Sequence, residues 1–374
     1  MRTLESAELL NLLESALESE RVKVAELTTL KHEKILIYGA GLSGIRVLRA
    51  LQNRGLESVA FLDRAAASKN PCQGIPVLLP DDSGLSDEER RSALVLISIP
   101  VYFNARLELC NNLRSWGYEH IYYAYPYFNS FTDGAFQPGW KARAMETFHS
   151  VEDSVSKNVY AQNLAAFLLY EPETRFFASS QGLGYLPGDI PLNLKNMRLV
   201  DCGAYDGDSL QDLVSCAETV DAYVGFEPLY SLFTKLKDRL EALKDKIGTG
   251  ILIPAALGNS FEMVPFNMTN DLLGSAVSRD GNSSVMMVKL DDVLPGFAPT
   301  FIKMDIEGSE FDALMGAKNI IEKNRPALAI SVYHFVDHFW EIPSLIRSWN
   351  LRYKFYLRHY CDDWIDTVFF AVPE

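Results

Sequence analysis

The sequence predicts an α/β protein built from two Rossmann-like domains, and three observations carry that reading. Twice along the 374-residue chain a short apolar strand runs into a glycine-containing turn, a helix, and a second apolar strand ending in an acid. In both units the acid lies 24 residues beyond the first glycine, Asp63 after Gly39 and Glu227 after Gly203. A doubly wound fold presents a carboxylate to the ribose of a nucleoside at about that spacing. Strands and helices then go on alternating to the C-terminus, as parallel sheets with helix-covered faces require.

The elements follow in order. Residues 4–30 carry Leu9, Leu13 and Leu17 four apart, with Leu10, Leu12, Leu27 and Leu30 widening the stripe among glutamates. This predicts one or two amphipathic helices in a 1–32 segment, packed on their own chain or forming a homo-oligomer contact. Residues 33–130 form the first Rossmann-like domain. Its strand Lys34–Tyr38 opens into Gly39-Ala40-Gly41-Leu42-Ser43-Gly44, a G-x-G-x-x-G turn, before a helix Ile45–Arg54 and a strand Val59–Leu62 ending at Asp63. The glycines allow a tight turn, and a helix N-terminus favours a phosphate. Gly39, Gly41, Gly44 and Asp63 are therefore candidates for a second nucleotide site. A third strand, Ala93–Ile99, and a helix through Leu113 complete the unit.

Asn129–Gly139 is aromatic, contains Gly and Pro and lacks periodicity, so the domain boundary falls there, with residues 131–374 as the second domain and 196–374 as its core. Val151–Tyr170 reads as a helical cap, and Gln181–Leu186 as a segment over the ligand mouth. From 198 the chain predicts a strand ending at Asp201, a glycine loop, a helix from about Ser209, a strand Ala222–Phe226 ending at Glu227, and a helix Leu229–Leu243. A strand Gly250–Ile253 and hairpin-like segments come next. They lead to a strand ending at Asp305, a helix to Lys323, a strand Pro326–His334, a helix Trp340–Trp349 and two final strands, Arg352–Leu357 and Thr367–Val372. Too few residues separate the last two for a crossover helix, which needs about a dozen, so they form an antiparallel hairpin.

The loop after Asp201 places Tyr205 where a pyrophosphate needs close backbone approach, which disfavours NAD there. A phosphate-free adenosyl cofactor, S-adenosylmethionine, fits better. Its candidate ligands are Asp201, Gly203, Ala204, Tyr205, Gly207, Ser209 and Glu227.

A set of ordered motifs runs through this half: Val200–Asp208, Gly225–Pro228, Lys289-Leu290-Asp291-Asp292, Lys303–Glu310 and the strand closing on His334. With these motifs, roughly Gln181–Val372 resembles the FkbM family of S-adenosylmethionine-dependent O-methyltransferases. The resemblance implies a class I methyltransferase sheet with an antiparallel terminal hairpin, and methylation of a hydroxyl. Ser209 stands where many relatives have Thr, and His338 where they often have an acid. The N-terminal domain resembles the nucleotide-sugar-binding domain of sugar acyltransferases, which implies a sugar or glycan precursor as acceptor and a nucleotide sugar as partner.

Removing the acceptor proton calls for a base, and a near-neutral histidine suits that task. His334 is the candidate, with Asp305 assisting. Asp305, Glu307 and Glu310 form a carboxylate cluster of the kind that holds Mg²⁺, although acids at a helix start are also favoured by its dipole. His334 and His338 have zinc-like spacing but lack the glutamate and third ligand of a zinc motif.

With 49 acidic against 35 basic residues the net charge is −14, which disfavours nucleic acid and anionic membranes. The apolar run Ala93–Ala105 is broken by Pro100 and too short to span a bilayer, and no secretory signal is evident. Five scattered cysteines fit reduced thiols in a cytoplasmic protein. Two other functions are open. One is a non-catalytic docking or nucleotide-sugar-binding module; the other is an NAD-dependent oxidoreductase, disfavoured because no Tyr has a Lys four residues later.

Overall fold

The computed structural model describes every residue except 1–2, 20–33, 54, 57–58, 125–135, 170–171, 180–183, 269–274 and 278–280. Leu27, Leu30 and most of the expected boundary at 129–139 lie outside the described residues. Among the described residues the chain forms three sheets.

The strands β1 (Ile35–Tyr38), β2 (Val59–Leu62), β3 (Val77–Leu78), β4 (Leu94–Ile97) and β5 (His120–Tyr123) make a parallel sheet in the order β3-β2-β1-β4-β5. β1 and β4 are buried along their whole length. Helices on both faces explain why they read as unbroken apolar runs. Gly41 caps the helix Leu42–Gln52, which begins three residues earlier than expected. A Cβ on Gly44 would stand 1.9 Å from the Gly39 carbonyl oxygen, so this glycine is needed for the helix to pack on the turn.

The second sheet contains β6 (Met197–Cys202), β7 (Val220–Phe226), β8 (Ile247–Ile253), β13 (Phe301–Met304), β14 (Ala327–Ser331), β15 (Tyr353–His359) and β16 (Thr367–Pro373). Their order is β15-β16-β14-β13-β6-β7-β8. β16 runs antiparallel to both β14 and β15, giving the expected hairpin end. A smaller sheet, β11-β10-β12-β9, is inserted between β8 and β13: β9 (Ala256–Leu257), β10 (Glu262–Asn267), β11 (Ala276–Val277) and β12 (Ser283–Val288).

The N-terminal helix Ser6–Leu17 lays Leu9, Leu13 and Leu17 against the helix Ser154–Leu169, so that stripe is buried on its own chain. Asn158 secures it, accepting from the Leu4 amide at 2.8 Å and donating to the Leu4 carbonyl. One contiguous apolar cluster runs from Leu9, Ile37 and Phe61 through Tyr160 and Phe167 to Val200, Ile302 and Phe369, joining the first and second sheets.

Two expected elements differ. The helix expected from the Lys303–Glu310 motif to Lys323 is two helices, Glu310–Met315 and Lys318–Asn324. A Cβ on Gly316 would meet the Gly258 carbonyl oxygen at 2.1 Å, so the chain packs on backbone at this break. Asp291, from the Lys289–Asp292 motif, then accepts from the Asn319 and Ile320 amides and caps the second helix. The strand expected to end at His334 stops at Ser331, which places His334 in the following loop.

Candidate active site

The order of the seven-stranded sheet reverses between β6 and β13, and Gly203 lies just past this switch point with φ +80°. A Cβ there would stand 1.9 Å from the Asp305 carbonyl oxygen, so only glycine lets the two strand ends converge. Above them opens a cleft of about 700 Å³, within the range of small-molecule sites.

Gly203, Tyr205, Ser209, Glu227, Asp305 and His334 all line this cleft. Asp201, Ala204 and Gly207, also expected to touch a cofactor, stand behind it. Asp201 is fully buried, 3.0 Å from Lys303 Nζ, and accepts from the Tyr223 hydroxyl at 3.0 Å. Ala204 donates its amide to the Phe226 carbonyl at 2.9 Å. Gly207, at φ +91°, caps the helix Asp208–Cys216. These three residues shape the loop that the others present.

Glu227 follows β7 and is 6% exposed, with Oε1 accepting from the Leu229 amide at 2.8 Å. Burial pushes its carboxyl up to about 7. Asp305 follows β13, and its two oxygens accept from the hydroxyls of Tyr185 at 2.8 Å and Tyr333 at 3.2 Å.

His334 meets carboxylates on both ring edges. Its Nε2 lies 3.4 Å from Asp305 Oδ1 and 3.6 Å from Glu307 Oε2, and its Nδ1 lies 2.9 Å from Glu310 Oε1. Burial alone lowers its pKa, but Glu310 first, then Glu307 and Asp305, raise it to about 10. The expected near-neutral imidazole is therefore an imidazolium at pH 7, with no lone pair to take a proton.

Glu310 is fully buried and also accepts from the Ile306 amide at 2.8 Å. Burial raises its pKa, yet His334 and His338 outweigh that and hold it at about 2. His338 lies on the far side, Nδ1 3.4 Å from Glu310 Oε2, and burial lowers its pKa.

Asp305, Glu310 and His334 each bring one potential ligand atom within 4.8 Å of the others. This set does not fit the Mg²⁺ expected from Asp305, Glu307 and Glu310. Mg²⁺ demands octahedral oxygen and water ligands, whereas Glu310 is committed to backbone and imidazole and a protonated histidine stands between the acids.

Sequence reasoning missed Tyr185, Tyr333 and Asp366, which line the cleft, and gave Lys303 no role in the site. A lysine inside the apolar strand Phe301–Met304 was the available signal. Lys303 Nζ reaches the Gly203 carbonyl at 2.6 Å, and although burial lowers its pKa, Asp201 and Asp305 raise it overall. Of the segment expected over the mouth, residues 181–183 lie outside the described residues, while Tyr185 lines the cleft.

The turn of Gly39, Gly41 and Gly44 is not part of this cleft. Asp63 spends both oxygens locally, Oδ2 on the Ala40 amide at 2.9 Å and Lys69 Nζ at 2.7 Å, Oδ1 on the Ala65 amide at 2.8 Å. The loop after β4, Pro100–Tyr102, does line the cleft.

Residues 201–357 match the family model of the methyltransferase FkbM domain. This stretch is similar to the methyltransferase FkbM domain. The match begins at Asp201, so the matched stretch takes in the glycine loop, Glu227, Asp305 and His334, and the similarity supports a methyltransferase. The crystal structure of methyltransferase FkbM from Methylobacillus flagellatus KT is similar over 98% of each chain, at 21% identity and a TM-score of 0.65. That likeness is one of fold and extends over the N-terminal sheet. Fibrillarin from Aeropyrum pernix, in complex with natively bound S-adenosyl-L-methionine, matches 51% of this chain and 73% of its own at 13% identity and a TM-score of 0.32. No curated protein matches the chain. No helix among the described residues is long and apolar enough to cross a membrane.

Proposed function

We propose that the protein transfers a methyl group from S-adenosylmethionine to a hydroxyl, on a sugar or glycan precursor. The observation that carries this reading is the convergence of Gly203, Glu227 and Asp305 on one cleft at the switch point of the sheet. The residues fit the donor. Glu227 offers a buried carboxylate to the ribose hydroxyls, the Gly203–Ser209 loop presents backbone and hydroxyl groups to the aminocarboxypropyl end, and Leu229, Leu232 and Phe266 give an apolar wall suited to adenine.

When bound, the donor supplies an electrophilic methyl group. The protein must then hold the acceptor oxygen in line and give its proton a destination. Asp305 is assigned that proton, since its carboxylate faces the cleft while His334 is already charged. Tyr185 and Tyr333 orient Asp305 through their hydroxyls. His334, fixed by Glu310, sets the charge beside it.

Thermal unfolding of the whole chain with S-adenosylhomocysteine tests the donor assignment. At about a hundredfold over its Kd the ligand stabilises the fold by ~2.7 kcal/mol. Glu227→Ala removes most of the shift, and no shift in the folded wild-type chain refutes the reading.

A further inference from the structure

The N-terminal sheet supplies part of the cleft wall. Pro100–Tyr102, at the carboxyl end of β4, stands in the same cleft as Trp364 and Asp366 from the β15–β16 connection. The two loops share one anchor. Arg106, 1% exposed, donates from Nη1 to Asp363 Oδ1 at 2.7 Å and from Nε to the Pro172 carbonyl at 2.7 Å, and stacks 4.5 Å over the Tyr123 ring. Asp363 Oδ1 also accepts from the Trp364 amide at 2.9 Å, and the Tyr123 hydroxyl donates to the Val101 carbonyl at 3.1 Å. The rim is therefore built, and on it Tyr102 is 68% exposed. A large aromatic face left in solvent at a cleft mouth is suited to stack on a ring.

The charge inside the cleft limits what that ring carries. Asp208, Glu227, Asp305, Glu307 and Asp366 line it, and the cations among its described lining residues, Lys303 and His334, are already matched by Asp201 and Glu310 behind the wall. Among the described residues of the cleft, a phosphate meets carboxylates with no unmatched cation to receive it.

Resting on the methyl-transfer reading above, we propose that the N-terminal sheet completes the acceptor site, with Tyr102 as a specificity-determining residue. The acceptor is a phosphate-free ring alcohol, neutral or bearing an ammonium group. The methylated molecule is thus a free glycoside or similar polyol, not a nucleotide sugar.

The test uses the full chain and follows S-adenosylhomocysteine formation. The acceptors are methyl glycosides of hexoses, 6-deoxyhexoses and amino sugars, set against the same sugars as 1-phosphates and nucleoside diphosphate conjugates. The phosphate-free compounds are expected to have kcat/KM at least about tenfold higher. Tyr102→Ala is expected to raise acceptor KM about three- to tenfold, with kcat and S-adenosylhomocysteine affinity unchanged, and Tyr102→Phe to restore it. Three results overturn the proposal in a chain that binds S-adenosylhomocysteine: preferred turnover of phosphorylated sugars, an unchanged KM in Tyr102→Ala, or no turnover of any phosphate-free compound. A chain that does not bind S-adenosylhomocysteine fails the donor reading instead, and this one with it.

Discussion

Lys303 Nζ and Asp201 Oδ1 lie 3.0 Å apart with side chains 4% and 0% exposed, so the first acid of the glycine-loop motif neutralises a lysine from the neighbouring strand. Removing one member of a buried pair leaves an uncompensated charge and typically costs about 3–5 kcal/mol. Lys303→Met is expected to lower unfolding free energy by that amount in urea titrations, and the double variant with Asp201→Asn to recover most of it. A single variant as stable as wild type contradicts this account.

Glu227, as the proposed ribose ligand, is expected to make donor binding pH-dependent. Its carboxyl is raised by burial to about 7 from 4.5, and a ribose needs the ionised form as acceptor. S-adenosylhomocysteine affinity is expected to weaken as pH falls below about 7, by up to about tenfold per unit. In the ligand-free protein the same shift acts on stability with the opposite slope: the native state binds the extra proton, so Glu227's contribution declines as pH rises from 4.5 through 7. Calorimetry across this range, with Glu227→Gln as the flat control, measures both.

The Glu310 and His334 pair gives the fold two further pH limits. His334 is raised from 6.5 to about 10, so its contribution is full below 6.5 and is lost as pH climbs through about 10. Glu310 is lowered from 4.5 to about 2, so its contribution is present above 4.5 and is lost as pH falls through about 2. His334→Gln is expected to flatten the alkaline limb of a stability–pH profile. An unchanged limb removes His334 as its cause.

Asp305→Asn tests the destination of the acceptor proton. Loss of a positioned proton acceptor typically lowers the rate by about 10²- to 10⁴-fold. The variant is expected to lose kcat on that scale while keeping S-adenosylhomocysteine affinity. If turnover instead falls mainly in His334→Asn, with Asp305→Asn near wild type, the proton passes through the imidazole.

Much of the fold was legible because its signals are local. Ile35–Tyr38, Leu94–Ile97 and Phe301–Met304 are short apolar runs that only a two-sided sheet can bury. The shortness of the connection between β15 and β16 excluded a crossover helix. Six of the nine residues assigned to the first site line one cleft. Where the small sheet β9–β12 forms, only hairpin-like segments were legible, and the break at Gly316 was not, since the sheet's order and that break each depend on backbone packing against a distant strand or turn.

The sequence by itself determined the alternation of strands and helices, the glycine loop after Asp201 and the placement of Glu227 and Asp305 at strand ends, because steric and hydrophobic patterns act over a few residues. The tertiary structure alone decided the charge states and the walls. His334 is held as an imidazolium because Asp305, Glu307 and Glu310 meet it from a loop and helix start that it follows by more than twenty residues. Tyr102 reaches the cleft because Arg106 binds Asp363, 257 residues away. Neither relation has a period or a spacing to read; each comes from burial that lowers the dielectric and brings distant charges within bonding range.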